Sequence, residues 1–135
     1  INNTSNNLAL TDNNTRNNGF TLNATSYRDA FNNGSHFSEA TGRFTAPVDG
    51  KYHFTCVWDA KNARSMIDMK INSTFAIRYE PTGFNNADWE THSWSCTVIM
   101  GSGDYAILNG RGASGSYPFH MGSGHWGFWT GHKIT

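Results

Sequence analysis

Apolar and polar residues alternate for longest just after Gly50, where Tyr52, Phe54, Cys56 and Trp58 fall on one face and His53, Thr55 and Val57 on the other. A period of two is that of a β-strand. Pro47 and Gly50 break the chain just before it. A second alternation sets Trp94, Cys96 and Val98 against Ser93, Ser95 and Thr97, and Gly101 to Gly103 supply the turn that follows. Between these two runs, Ile67, Met69 and Ile71, then Phe75 and Ile77, flank Asn72-Ser73, which predicts two short strands joined by a turn. Ile1 to Asn23 is rich in Asn and Thr with one apolar island, Leu8-Ala9-Leu10, and reads as a linker whose island forms the first strand. Glu80 to Glu90 and Asn109 to Ser116 read as polar or Gly/Ser-rich loops, Tyr117 to Met121 as a brief pairing, and Gly122 to Gly124 as the lead into a final strand.

Composition narrows this to one class. A chain of 135 residues makes one domain large enough for a sizeable core. Aromatic residues make up 14% and charged residues only 15%, and no stretch sustains a helical period, so short strands and turns predict an all-β sandwich. The formal charge of zero argues against a basic nucleic-acid surface and against a polybasic membrane patch. No apolar run approaches the length of a membrane span, which argues against membrane insertion. The first residues lack the pattern of a signal peptide, and Ile1 is not an initiator, so the expectation is that a segment lies upstream. Asn-x-Ser/Thr triplets such as Asn23-Ala24-Thr25 and Asn72-Ser73-Thr74 arise by chance in so Asn-rich a chain and say little about glycosylation.

One spacing is specific. Asn32 is followed after four residues by Phe37, after six more by Phe44, and after five more by Gly50, which opens Gly50-x-Tyr52-x-Phe54. This resembles the signature of the complement C1q-type globular head, a relative of tumour necrosis factor. Two positions depart: the pattern has a Phe where Ser26 stands and an aromatic where Cys56 stands. Gly103-Asp104-Tyr105-Ala106-Ile107-Leu108 is similar to the family's Gly-Asp turn and strand, and Trp129-Thr130-Gly131-His132-Lys133-Ile134 resembles its closing Phe-Ser-Gly-Phe-Leu-Leu strand.

The resemblance implies a jelly-roll sandwich of two antiparallel sheets over residues 24–135, preceded by an Asn-rich segment, residues 1–23, that includes the first strand. It also implies a homotrimer whose inner sheets line a three-fold axis. The strand face not used for the core then meets two copies of itself, and the candidate interface residues are His53, Thr55, Val57, Ser95, Thr97 and Trp129. Most are small or polar rather than charged, which is compatible with burial between subunits. The chain holds two cysteines, Cys56 and Cys96. The family topology makes their strands neighbours, and a disulfide and a pair of buried thiols both stay open.

Catalytic patterns are missing. Gly112-Ala113-Ser114-Gly115 lies in a predicted loop and precedes no helix, and Asp88 and Glu90 sit on a polar loop where charges are ordinarily solvated. Neither His-Glu-x-x-His nor Cys-x-x-Cys occurs among the six histidines and two cysteines, so one chain has no motif for zinc. Three-fold symmetry would turn one inward His per subunit into a ring of three, with His53 and His132 as candidates, although ordinary hydrogen bonding is the commoner role. Some members of the family it resembles bind calcium through loop acids, and the Asn85, Asn86, Asp88 and Glu90 loop offers hard oxygens for such an ion, although it lacks EF-hand spacing. No cofactor is otherwise implied.

Binding surfaces are better represented. Tyr79, Asn85, Asp88, Trp89, Tyr117 and His120 place aromatics beside polar groups in predicted loops, the mixture that stacks on and hydrogen-bonds to a sugar or a protein loop. The structural alternative is that the rings seal the ends of the sandwich. The resemblance therefore implies a non-catalytic trimeric head recognising a cell-surface glycan or protein, outside the cell or on a virion. The short Asn/Gly/Ser-rich style and the lack of Gly-X-Y repeats suit the tip of a phage tail fibre or a microbial appendage. The alternatives are a secreted animal complement-type lectin and a purely structural trimerisation domain of a fibre. Glycan hydrolysis would need two carboxylates facing across a groove.

Overall fold

The computed structural model describes residues 8–12, 20–21, 33–38, 41–61, 66–79, 89–111, 115–120 and 128–135. Among them are eleven strands: β1 (Leu8–Asp12), β2 (Phe20–Thr21), β3 (Phe37–Ser38), β4 (Arg43–Thr45), β5 (Gly50–Lys61), β6 (Met66–Ile71), β7 (Thr74–Ile77), β8 (Trp89–Met100), β9 (Tyr105–Arg111), β10 (Gly115–His120) and β11 (Phe128–Lys133). One 3-10 turn, Asn33–Ser35, precedes β3. All pairings are antiparallel, and the strands form two sheets. In one, β5 is the spine: β8 runs along one edge from Trp89↔Lys61 to Met100↔Gly50, while β11 and β10 share the other. β1 pairs with β10 beyond. In the other sheet β9 is the spine, flanked by β6 with β7 on one side and by β4 with β3, and by β2, on the other.

The signature spacing has a physical cause. Phe37 and Phe44 are cross-strand partners on β3 and β4, and both reach over to the opposite sheet. Phe44 meets Tyr52 and Phe54 edge-on with ring centres 5.7 and 5.5 Å apart, and Phe37 meets Trp129 edge-on at 5.8 Å. Phe54 and Trp129 stack at 5.8 Å. These rings, with Cys56, Trp58, Ile67, Met69, Met100, Ala106 and Leu108, make a continuous core between the sheets. Each such large side chain contributes roughly 1.5–3 kcal/mol through burial. The two glycines of the matched motifs are set by close approach. A Cβ on Gly131 would lie 2.4 Å from the Phe54 ring, and one on Gly50 would lie 2.4 Å from the carbonyl oxygen of Thr135, which accepts from the Lys51 amide.

The turns at the Gly50 end are tied to one another by hydrogen bonds. The Asp104 carboxylate accepts from the Asn72 side chain at 2.9 Å and from the Gly101 amide at 2.8 Å. Asn72 adopts a left-handed φ of 54°, which suits the tight β6–β7 turn, and its side-chain oxygen accepts from the Tyr105 amide. The Ser102 amide donates to Asp49, and the Tyr52 hydroxyl donates to the Val48 carbonyl. Backbone groups that would otherwise be orphaned at the strand ends are thereby satisfied.

Several sequence expectations are met: the alternating strands, the Asn72-Ser73 and Gly101–Gly103 turns, and a strand at the Leu8-Ala9-Leu10 island. Others are corrected. Residues 109–111 continue β9, and residues 115–120 form β10, because β6 and β2 extend along β9 and β1 runs beside β10. Trp89 and Glu90 open β8 instead of closing a loop, since β5 offers partners as far as Lys61. Thr21 and Phe20 form β2 within the stretch read as linker. Cys56 and Cys96 are both free thiols on neighbouring strands, one paired with Trp94 and the other with Phe54.

Candidate functional site

Alternation on β5 leaves one face of its sheet without a core to pack against. Direct partners across strands share a face, so the register reads out that surface row by row. Thr97, His53 and His132 form one row, Ser95, Thr55 and Thr130 the next, and Ser93, Val57 and Phe128 the third. Lys51 pairs with Ile99 at one end, and Ile134 follows β11 beside it, its amide donating to the Lys51 carbonyl. Ile99 is 80% exposed, Ile134 50% and Phe128 38%. Among the described outward positions of β5, β8 and β11, the charged residues are Lys51, Asp59 and Lys61, and Asp59 is buried with the Thr91 hydroxyl donating to it. This is a face of hydroxyls, imidazoles and exposed aliphatics.

His53, Thr55, Val57, Ser95 and Thr97 therefore lie together on one surface. Trp129 does not belong there. It pairs with Cys56, is 1% exposed, and stacks on Phe54 inside the core. Sequence reasoning also missed Ile99, Ile134, Ser93, Phe128 and Thr130, although the same period of two from Ser95 and His132 reaches them.

At the centre of the face the rings of His53 and His132 are 5.7 Å apart and inclined at 54°. Nδ1 of His53 is 3.1 Å from the Thr97 hydroxyl, and Nε2 is 3.4 Å from that of Thr55. Among the described residues no group of three His, Cys, Asp or Glu converges within one chain.

The far end of β5 is organised differently. Tyr79, directly after β7, meets Trp58 edge-on at 5.0 Å, and its hydroxyl is hydrogen-bonded to Nδ1 of His92 at 3.1 Å. Its amide donates to the buried Asp68 carboxylate at 2.9 Å. His92 lies over Trp58, and its Nε2 is 3.8 Å from Glu90. Burial pushes the Tyr79 hydroxyl pKa up, with Glu90 adding to the rise. Burial holds the His92 imidazole below its ordinary value, against the opposing pull of Glu90 and Asp59.

Tyr79 is half-buried, and its ring and hydroxyl are both engaged in packing at this end of the sandwich. Trp89, Tyr117 and His120 lie in strands, opposite Lys61, Leu10 and Asp59. Asn85 and Asp88 lie outside the described residues. Glu90 is engaged near His92, apart from the outward histidine pair.

Comparison with known proteins gives this arrangement its context. The profile of the C1q domain matches residues 9–125. The chain belongs to the C1q domain family. Its fold is similar to that of the globular domain of zebrafish complement 1qA protein, with a TM-score of 0.64 over 95% of this chain and 91% of that one, at 16% sequence identity. No curated protein sequence matches the chain. The C1q domain family is non-catalytic, its domains generally form homotrimers, and its members are typically extracellular or secreted.

Proposed function

We propose that this C1q head works as a homotrimer that recognises a glycan or protein on a cell surface, at the tip of a phage or microbial fibre. The observation that carries the assembly is the β5–β8–β11 face, whose three described central rows hold no Lys or Glu and which bears Ile99, Ile134 and Phe128 exposed. Copies of the chain are its natural cover, because polar hydroxyls and apolar edges desolvate at far lower cost than charges. His53, Thr55, Val57, Ser95 and Thr97 would lie in that interface.

Recognition then falls to the polar and aromatic residues at the 80–90 and 115–120 segments: Asn85, Asp88, Trp89, Tyr117 and His120. Three copies multiply a weak single-site affinity when the sites engage together. A glycan array probed with the trimer tests this. Binding that drops at least tenfold in Trp89→Ala with the trimer intact supports the reading, and an array blank at every glycan removes the sugar class.

A second reading is supported by Tyr79, which seals the core. An end whose aromatics are spent on packing suits a head that registers a fibre without holding a ligand. The secreted complement-type lectin differs from both in its setting, and a Gly-X-Y tract upstream would favour it.

A further inference from the structure

We propose that His53 and His132 are ligands for a zinc-class divalent cation held between copies of this chain. The two residues are direct cross-strand partners on β5 and β11, so both imidazoles leave the same face of the sheet. A metal about 2.0–2.1 Å from one nitrogen of each ring places the ring centres roughly 5–6 Å apart in tetrahedral geometry. The observed separation is 5.7 Å.

The surroundings suit a neutral imidazole pair. Thr97 Oγ1, 3.1 Å from Nδ1 of His53, can accept that N–H and so fix the tautomer whose Nε2 carries the free lone pair. Among the described residues, Nε2 has the long 3.4 Å approach of Thr55 Oγ1 to give up. No carboxylate stands among the described outward residues of the rows that hold the pair, which disfavours calcium and leaves nitrogen-preferring ions such as zinc.

Two ligands are an unfinished site, and the described residues of one chain supply no third. The inference rests on the trimeric reading, in which neighbouring copies bring their own His53 and His132 toward the same face. Zinc then cross-links the subunits and stabilises the assembled form by mass action.

The test uses the whole chain stripped of metal with chelator and then titrated with zinc ions alone, following heat of binding and mass by light scattering on the same samples. Wild type is expected to bind zinc and to dissociate only at protein concentrations at least tenfold lower than without it. His53→Asn and His132→Asn are expected to lose both effects while remaining folded without metal, as a cooperative melt shows. A metal-free trimer that takes up no zinc, or whose zinc response survives both substitutions, overturns this site and leaves the trimer standing. A monomer at every concentration with and without zinc overturns the trimeric reading and the shared site with it. A variant that melts early is replaced by the corresponding Gln, and loss of zinc binding in that folded protein supports the site.

Discussion

The two faces of the β5 sheet share one backbone and differ in everything their side chains do. Inward, Tyr52, Phe54, Cys56 and Trp58 are each at most 1% exposed and interlock with Phe37, Phe44 and Trp129. Outward, the same strand carries His53, Thr55 and Val57 among Ser, Thr and exposed Ile side chains. The inward face determines whether the chain folds, and the outward face determines what the folded chain meets. A substitution on one should leave the other's property nearly untouched, and that separation can be attacked experimentally.

The largest effect is expected inside. Phe54→Ala removes the ring that Phe44 and Trp129 both pack on, and should cost about 3–5 kcal/mol in urea unfolding. An outward charge should act on assembly with similar force and on folding hardly at all. Ser95→Glu brings three carboxylates toward one another in a trimer, and light scattering should show monomer with a circular dichroism spectrum unchanged. Smaller is Gly131→Ala, whose methyl meets the Phe54 ring at 2.4 Å and should cost about 1–3 kcal/mol by displacing it, again without loss of the trimer mass.

Smallest are the effects of acid. His92 binds a proton less readily folded than unfolded, so stability should fall as pH drops below the ordinary histidine range and level off below the lowered folded value. His92→Gln should flatten that limb of a pH series of melts. Asp104 titrates lower when folded, because the Asn72 side chain and then the Gly101 amide bond its carboxylate. Its contribution is complete above the ordinary carboxylate range and lost as pH falls through the lowered folded value. Asn72→Ala should shrink this second, more acidic limb.

Much of the inward face was legible in the sequence because β5 and β8 are long, and long runs state their period without ambiguity. The spacing from Phe37 to Phe54 was legible for a deeper reason: those residues meet in one aromatic cluster, so their separations along the chain are constrained together. Trp129 reads as outward from sequence because its strand runs Trp, Thr, Gly and His. Gly131 occupies an inward position with no side chain to announce it, and only the pairing of Trp129 with Cys56 shows which way the strand faces. Tyr79 reads as a loop aromatic from sequence, since nothing local shows that Trp58 and His92 close over it. β10 is longer than the sequence suggests because Gly115 and Ser116 read as loop from their composition, yet they sit opposite Asp12 and Thr11 in β1. The histidine pair needs register as well as type, for its members lie 79 positions apart in the chain.

The most direct test of the central claim, that the outward face of the β5 sheet is covered by copies of the chain, is mass by light scattering across a dilution series with chelator present. A face covered by copies gives a species three times the 15.0 kDa of one chain, dissociating only on strong dilution. A species that stays at 15.0 kDa at the highest attainable concentration would contradict it.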